Sequence, residues 1–197
     1  VYQNDLFDPV PLDLIDDAES GIRYLPGVVS PATAQAWFEQ ALDGVIWSNQ
    51  RRMMYEREVD VPRLMAHSSL DAADLPAPLL QAAEQVRSTV GAAFNSVGLN
   101  LYRDGNDSVA PHNDHTKGLV AKAPIAILSL GATRRMSIRA KSGRGHTLNV
   151  DLHAGSVLVM SYASQFTHNH GIPKTSEVAG PRISLAFRCL AEKATAA

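Results

Sequence analysis

The chain is poor in cysteine. Cys189 is the single one in 197 residues, which excludes an intramolecular disulfide framework and a Cys-rich zinc site. No apolar run approaches the ~20 residues that cross a bilayer. The opening stretch VYQNDLFDPVPLDL lacks the basic start and apolar core of a secretion signal, so a cytoplasmic setting without a membrane partner is the expectation. Net charge is also small, −2 from 18 basic and 20 acidic residues. That argues against a uniformly basic coat but allows a local patch. Repeats and low-complexity segments are absent as well. What is present is 45% hydrophobic and 19% charged residues, the balance of one domain able to bury a core, expected to act as a monomer with no obligate protein partner. Seven histidines against one cysteine direct any metal towards nitrogen and oxygen ligands.

Along the chain, residues 1–22 carry six acids and no Lys or Arg and read as an acidic arm lying over the surface. Residues 23–197 read as a single domain. Ser30-Pro31 supplies an N-cap and a first-turn proline, and Ala34, Trp37, Phe38, Ala41 and Leu42 follow at helical spacing, predicting a helix over 31–43. Leu79, Leu80, Ala83, Val86, Val90 and Phe94 predict a second helix from Pro76–Pro78 to about Phe94. Between them, residues 45–70 are polar and aperiodic, fit for short strands or a lid. From residue 98 to 190 the chain breaks into short β-rich runs, LNLY, PIAILSLG, MSIRA, HTLNVDL, SVLVMSY and RISLAFR, separated by turn residues. Such runs predict a mainly β fold with flanking helices, closed as a barrel or double-sheet jelly roll.

The chemistry concentrates in Pro111-His112-Asn113-Asp114-His115. On an extended segment alternate side chains share a face, so His112 and Asp114 form a two-ligand grip. A third ligand must come from elsewhere, and His168 and His170 are both on offer. Two histidines and a carboxylate on one side, with open positions opposite, form the non-heme iron(II) pattern. In RISLAFR, Ile183, Leu185 and Phe187 take one face while Arg182, Ser184, Ala186 and Arg188 take the other. In water this is an ordinary amphipathic strand; beside a metal, its two guanidiniums would suit forked binding of carboxylates. Asn100 and Tyr102 share a face in the same way.

Three ordered motifs, NLYRDGNDSVAPHND, HGIPK and PRISLAFR, together with the lid segment PRLMAHSS at residues 62–69, resemble the AlkB-like iron(II)- and 2-oxoglutarate-dependent dioxygenases. The resemblance implies a double-stranded β-helix (jelly-roll) core over about 98–190, helices on one side, and a nucleotide-recognition-type lid over about 45–70. Carried over by position, His112, Asp114 and His170 would bind iron(II), leaving His168 beside the site. Arg182 would bind the distal carboxylate of 2-oxoglutarate with help from Asn100, Tyr102 and Ser184, and Arg188 would lie near the end that chelates iron. With O2 as co-substrate, the implied activity is oxidative demethylation of N-alkylated bases in single-stranded or duplex DNA or RNA, as in alkylation damage repair. The alternative keeps that chemistry and changes the substrate to a small molecule or a protein side chain.

The sequence departs from the family pattern on the cofactor side and on the substrate side. Ser184 and Ala186 replace an amide and a hydroxyl residue on the arginine strand, His115 and Thr116 stand where several nucleic-acid demethylases carry an acid, and His67 and Ser68 replace an aromatic pair. Candidate substrate contacts are Trp47, Tyr55, Arg63, His67, His115 and Thr116, with core packing the competing role for both aromatics. His146 and His153 read as hairpin or surface residues, and Cys189 as a buried free thiol. The basic run Arg134, Arg135, Arg139, Lys141 and Arg144 has no acid between residues 132 and 150. Either it is a solvated hairpin or it contacts phosphates, with Arg134, Arg135 and Arg139 as the candidates.

Overall fold

A computed structural model of the chain describes residues 10–54, 57–143 and 145–191, with the side chains of 50–60 outside that description. In chain order, β1 (Leu12–Ile15) and β2 (Ile22–Leu25) form a hairpin, followed by α1 (Pro31–Gly44). A long hairpin of β3 (Ser48–Met54) and β4 (Arg57–Ser69) leads to α2 (Ala77–Val90) and β5 (Ser96–Tyr102). Then come β6 (Val109–His112), β7 (Ile125–Gly131), β8 (Arg134–Ala140), β9 (Leu148–Leu152) and β10 (Val157–Met160). The chain closes with the short α3 (Ser164–Thr167), β11 (His168–Ile172) and β12 (Arg182–Arg188).

The strands form two sheets. One has eight strands in the order β1-β2-β10-β7-β12-β5-β4-β3, the other four in the order β6-β11-β8-β9, and all their pairings are antiparallel. This is the expected jelly roll. Strand alternation divides the large sheet into two working faces. Leu128, Leu130, Val97, Leu99, Ile183, Leu185 and Phe187 face outward and pack under α1 and α2 with Trp37, Phe38, Leu79 and Val86. Ile125, Ile127, Leu158 and Met160 face inward and meet Met136, Ile138, Leu152 and Ile172 of the small sheet.

The helices follow their sequence signals. Ser30 caps α1, its hydroxyl accepting from the Thr33 N–H at 3.2 Å. The second helix ends at Val90 rather than near Phe94 because Gly91 turns left-handed at φ 72° and closes it. Phe94 is buried beyond the helix, with its ring centroid 6.1 Å from that of Phe187. At the end of β7, Gly131 has φ 79°, and a Cβ there would come within 2.6 Å of the Pro181 carbonyl. Only glycine fits this turn.

The acidic arm differs from its sequence reading. Part of the acidic arm belongs to the sheet: β2 pairs with β10, β1 pairs with β2, and Leu14 and Ile15 pack against the inner core. Asp17 then fixes the turn, accepting from the backbone N–H of Gly21 at 2.8 Å and from the Ser161 hydroxyl at 2.5 Å. Residues 1–9 lie outside the described residues. The segment PRLMAHSS takes the short-strand form read for residues 45–70, with Leu64 to Ser69 in register with Leu101 to Ser96 of β5. Leu64 and Ala66 pack on the helix-side core, which anchors that stretch. Among the described residues no helix is long and apolar enough to cross a membrane.

Candidate metal centre and anion pocket

The pairing of β6 with β11 places His112 directly opposite His170, and their ring centroids are 4.5 Å apart. Asp114, two residues beyond His112, lies 8% exposed with Oδ1 3.8 Å from His112 Nε2 and 4.0 Å from His170 Nε2. One ligand atom from each of the three falls within 4.8 Å of the others. His112 Nδ1 is 2.9 Å from the Ala110 carbonyl, so that nitrogen carries the proton and Nε2 turns a lone pair towards Asp114. His168 is set aside from the cluster, its Nδ1 2.9 Å from Thr167 Oγ1.

Neighbouring side chains orient the carboxylate. Both Nε and Nη2 of Arg188 donate to Asp114 Oδ2, at 2.9 and 2.6 Å, which leaves Oδ1 facing the imidazoles. The Asp114 backbone N–H donates to Gln165 Oε1 at 3.0 Å. Gln165 is itself buried, and its amide donates to Ser164 Oγ at 3.2 Å. Burial alone would raise the Asp114 carboxyl, but the Arg188 guanidinium and the two imidazoles outweigh it and hold the group below the usual range. Burial, with His112 adding to it, pushes His170 down to about 4. An ionised Asp114 carboxylate beside a neutral His170 imidazole is the state a divalent metal requires of those two ligands.

The sign of the His170 shift sets a pH dependence for the metal-free chain. Its folded value of about 4 lies below the ordinary 6.5, so on acidification the unfolded chain takes up a proton first. Stability linked to this group is complete above 6.5 and is lost as pH falls from 6.5 towards about 4. Melting temperatures of the metal-free protein should fall across that window more steeply than those of His170→Gln; identical slopes would contradict the shift.

The second half of the site lies on the inward face of β12 and β5, where Arg182 is opposite Tyr102 and Ser184 opposite Asn100. Arg182 is 1% exposed. Its Nη2 donates to Ser129 Oγ at 2.9 Å, while Nε and Nη1 are buried without a partner. Burial lowers this guanidinium to about 10. Two unpartnered donors on one buried cation are costly unless an anion completes them, and a carboxylate matches the guanidinium fork. The Tyr102 ring lies under Arg182, 5.3 Å from ring centroid to guanidinium carbon. Asn100 Nδ2 donates to Ser184 Oγ at 3.4 Å, and Asn100 Oδ1 accepts from Arg63 Nε at 2.7 Å.

Other sequence candidates fall elsewhere. Arg134, read as a phosphate contact, is 3% exposed, and its guanidinium donates to the carbonyls of Asp104, Asp107 and Pro173 at 2.8, 2.9 and 2.8 Å. It faces inward with Met136 and Ile138, so a phosphate outside cannot reach it. Arg135 is exposed but forked onto Asp151 at 2.8 and 3.1 Å, so its charge is already matched. Arg139 is exposed on the outer face, and Arg144 lies outside the described residues. Arg63 is buried in the anion pocket rather than exposed on a lid. Trp47 packs on the helix-side core and donates to the Leu42 carbonyl at 3.1 Å, so it takes the packing role rather than stacking on a base. Tyr55 lies outside the described residues. His67 is exposed on the inward face, its Nε2 2.9 Å from Ser96 Oγ. His115 is exposed and Thr116 half-buried on the loop after Asp114. Gln165 and Ser129 join the site without having been singled out in the sequence. A lone serine inside the apolar run PIAILSLG was the available signal for Ser129, whereas Gln165 had none.

The family model described as 2OG-Fe(II) oxygenase superfamily matches residues 67–188. The cattle (Bos taurus) protein named DNA oxidative demethylase ALKBH2 is 34% identical over 124 residues, covering 57% of this chain and 45% of that protein. The cattle alpha-ketoglutarate-dependent dioxygenase alkB homolog 3 is 32% identical over 188 residues, covering 86% of this chain and 66% of its own length. The chain thus spans between 45% and 66% of these two relatives. Among solved structures, that of OsALKBH1 superposes with a TM-score of 0.62 at 15% identity, covering 86% of this chain and 96% of the other, a likeness of fold. On the match over residues 67–188 the chain belongs to the 2OG-Fe(II) oxygenase superfamily, and its 34% and 32% identity to the two cattle relatives makes it AlkB-like.

Proposed function

We propose that the chain is an iron(II)- and 2-oxoglutarate-dependent dioxygenase that oxidatively demethylates N-alkylated nucleobases in DNA or RNA, as in alkylation damage repair. The observation that carries the reading is the set of three ligand atoms within 4.8 Å. The orphaned fork of Arg182 supports a dicarboxylate beside it. In this reading His112, Asp114 and His170 hold iron(II), and Arg188 keeps Asp114 Oδ2 occupied so that Oδ1 serves the metal. Arg182 takes the distal carboxylate of 2-oxoglutarate, flanked by Tyr102 and the Asn100–Ser184 pair. When bound, iron(II) and 2-oxoglutarate supply, with O2, the oxidation of a substrate C–H bond, yielding succinate and carbon dioxide. The apolar wall of Ile127, Met136, Ile138 and Ile172 keeps water from the pocket. The target base has to leave its stack to reach the metal, and the relatives' demethylase name supports a base as substrate. A monomer in a reducing, cytoplasmic compartment belongs to the same reading, and the free buried thiol of Cys189 suits it.

The test is anaerobic loading with iron(II) and 2-oxoglutarate, then addition of O2 with oligonucleotides carrying N1-methyladenine or N3-methylcytosine. Stoichiometric succinate and formaldehyde are expected, with both lost in His112→Ala. Succinate with no repaired base would move the substrate to a small molecule or protein side chain, and no succinate at all would overturn the oxygenase assignment. Arg182→Met should weaken 2-oxoglutarate binding by at least about tenfold, the scale of one lost charge-assisted contact, with metal binding retained. Isothermal titration of each ligand separates the two.

A further inference from the structure

Among the described residues, Phe166 is the aromatic among the large apolar side chains that remain exposed, at 57%. It sits on α3, and its ring meets that of Tyr162 edge to face, with centroids 5.3 Å apart at 66°. The pair is held in place rather than free to fold inward. Gln165, the residue before Phe166, is buried and accepts the N–H of Asp114, so the aromatic edge is tied to the metal-ligand loop. Two cations lie on the strand end that neighbours α3. Lys141 Nζ donates to the Gln165 carbonyl at 2.6 Å, and the Lys141 backbone N–H donates to the Thr167 carbonyl at 2.8 Å. Exposed Arg139 follows on β8, paired across from Asn169 of β11. The nearby acids lie at the other end of α3 and are engaged there: Glu19 accepts the Ala163 N–H at 2.8 Å, and Asp17 holds Ser161.

An exposed flat ring with a polar-edged aromatic partner and adjacent cations matches the chemistry of a single nucleic-acid strand, which offers π-faces and phosphates at short intervals. A protein partner would call for a broader apolar patch than one ring. We propose that the Phe166–Tyr162 edge, flanked by Lys141 and Arg139, is a stacking platform for a base neighbouring the target base in a single strand. This rests on the nucleic-acid reading above and adds a subsite to it.

The test uses the full chain with iron(II) and 2-oxoglutarate under anaerobic conditions. The probe is a fluorescein-labelled heptameric oligodeoxynucleotide with a central N1-methyladenine, read by anisotropy. Phe166→Ala is expected to weaken binding about 30-fold, the middle of the range for one stacked base, and Phe166→Trp to restore or tighten it. On a second heptamer whose residues flanking the lesion are abasic, wild type and Phe166→Ala should bind equally, which a general structural defect would not produce. Lys141→Gln should flatten the salt dependence of binding. Unchanged affinity in Phe166→Ala, or an equal loss on the abasic heptamer, would overturn the platform while leaving the substrate class intact. Failure of the wild type to bind any heptamer would overturn the nucleic-acid reading itself.

Discussion

Asp114→Asn is expected to abolish turnover and to weaken iron(II) binding by more than about 100-fold, beyond the 10–100-fold typical of losing a partner to a ligand. The carboxylate has two separate tasks. Oδ1 faces His112 and His170 within the ligand cluster, while Oδ2 accepts both contacts from Arg188. An amide loses the charge that binds the metal, and whichever way it turns, one side presents N–H donors. Turned towards Arg188, donors face donors; turned towards the metal, no lone pair is left for it. Arg188 is then left beside the site without its counter-charge. Arg188→Met should be the milder change, about 10–100-fold in metal affinity, because the carboxylate survives but loses its fixed orientation. Anaerobic titration with Co(II), followed by its visible spectrum, measures both variants. Asn binding within tenfold of wild type would remove Asp114 from the ligand set.

Arg134→Met should produce the largest loss of stability, about 3–5 kcal/mol, the scale of breaking a buried charged network, against a total of about 5–15 for a typical domain. The guanidinium satisfies three carbonyls at once, from Asp104, Asp107 and Pro173, and a buried carbonyl left without a donor, as at Asp107, costs about 1–3 kcal/mol. These carbonyls belong to the loops just before β6 and just after β11, the strands that carry His112 and His170. The same substitution should therefore loosen the metal site as well as the fold. Arg134→Lys should recover only part of the loss, since one ammonium cannot reproduce a planar fork. Urea denaturation followed by the transition midpoint and slope is the measurement. A loss below about 1 kcal/mol, the worth of a single ordinary hydrogen bond, would show that the loops hold without the arginine.

Arg134 also marks where sequence reading stops. Arg134 and Arg135 are adjacent and chemically equal, yet one is buried among carbonyls and the other is exposed on Asp151. Which one turns inward depends on the turn at Gly131–Thr133, and nothing local distinguishes them. By contrast, the alternation of RISLAFR was legible because its apolar set, Ile183, Leu185 and Phe187, can only face a core. The His112–Asp114 spacing was legible because two residues on one strand need no tertiary information. The third ligand needed the family resemblance to choose between His168 and His170; the structure makes that choice through the His112–His170 register. Gln165 was invisible because its role is one hydrogen bond to a residue 51 positions away. The strands β1 and β2 were missed because four residues each carry too little pattern; β2 gains its identity from pairing with β10.

The strand β12 has a consequence for how errors in this protein express themselves. Its seven residues supply the core with Ile183, Leu185 and Phe187 and the anion pocket with Arg182 and Ser184. A slip of one residue against β5 and β7 would thrust guanidiniums into the helix-side oil and phenylalanine into the pocket. Such a chain would not fold to a slightly altered enzyme; it would fail to fold. Assembly of the core therefore acts as a proofreader for the anion pocket, and a molecule that reaches the native state has already had its cofactor side inspected.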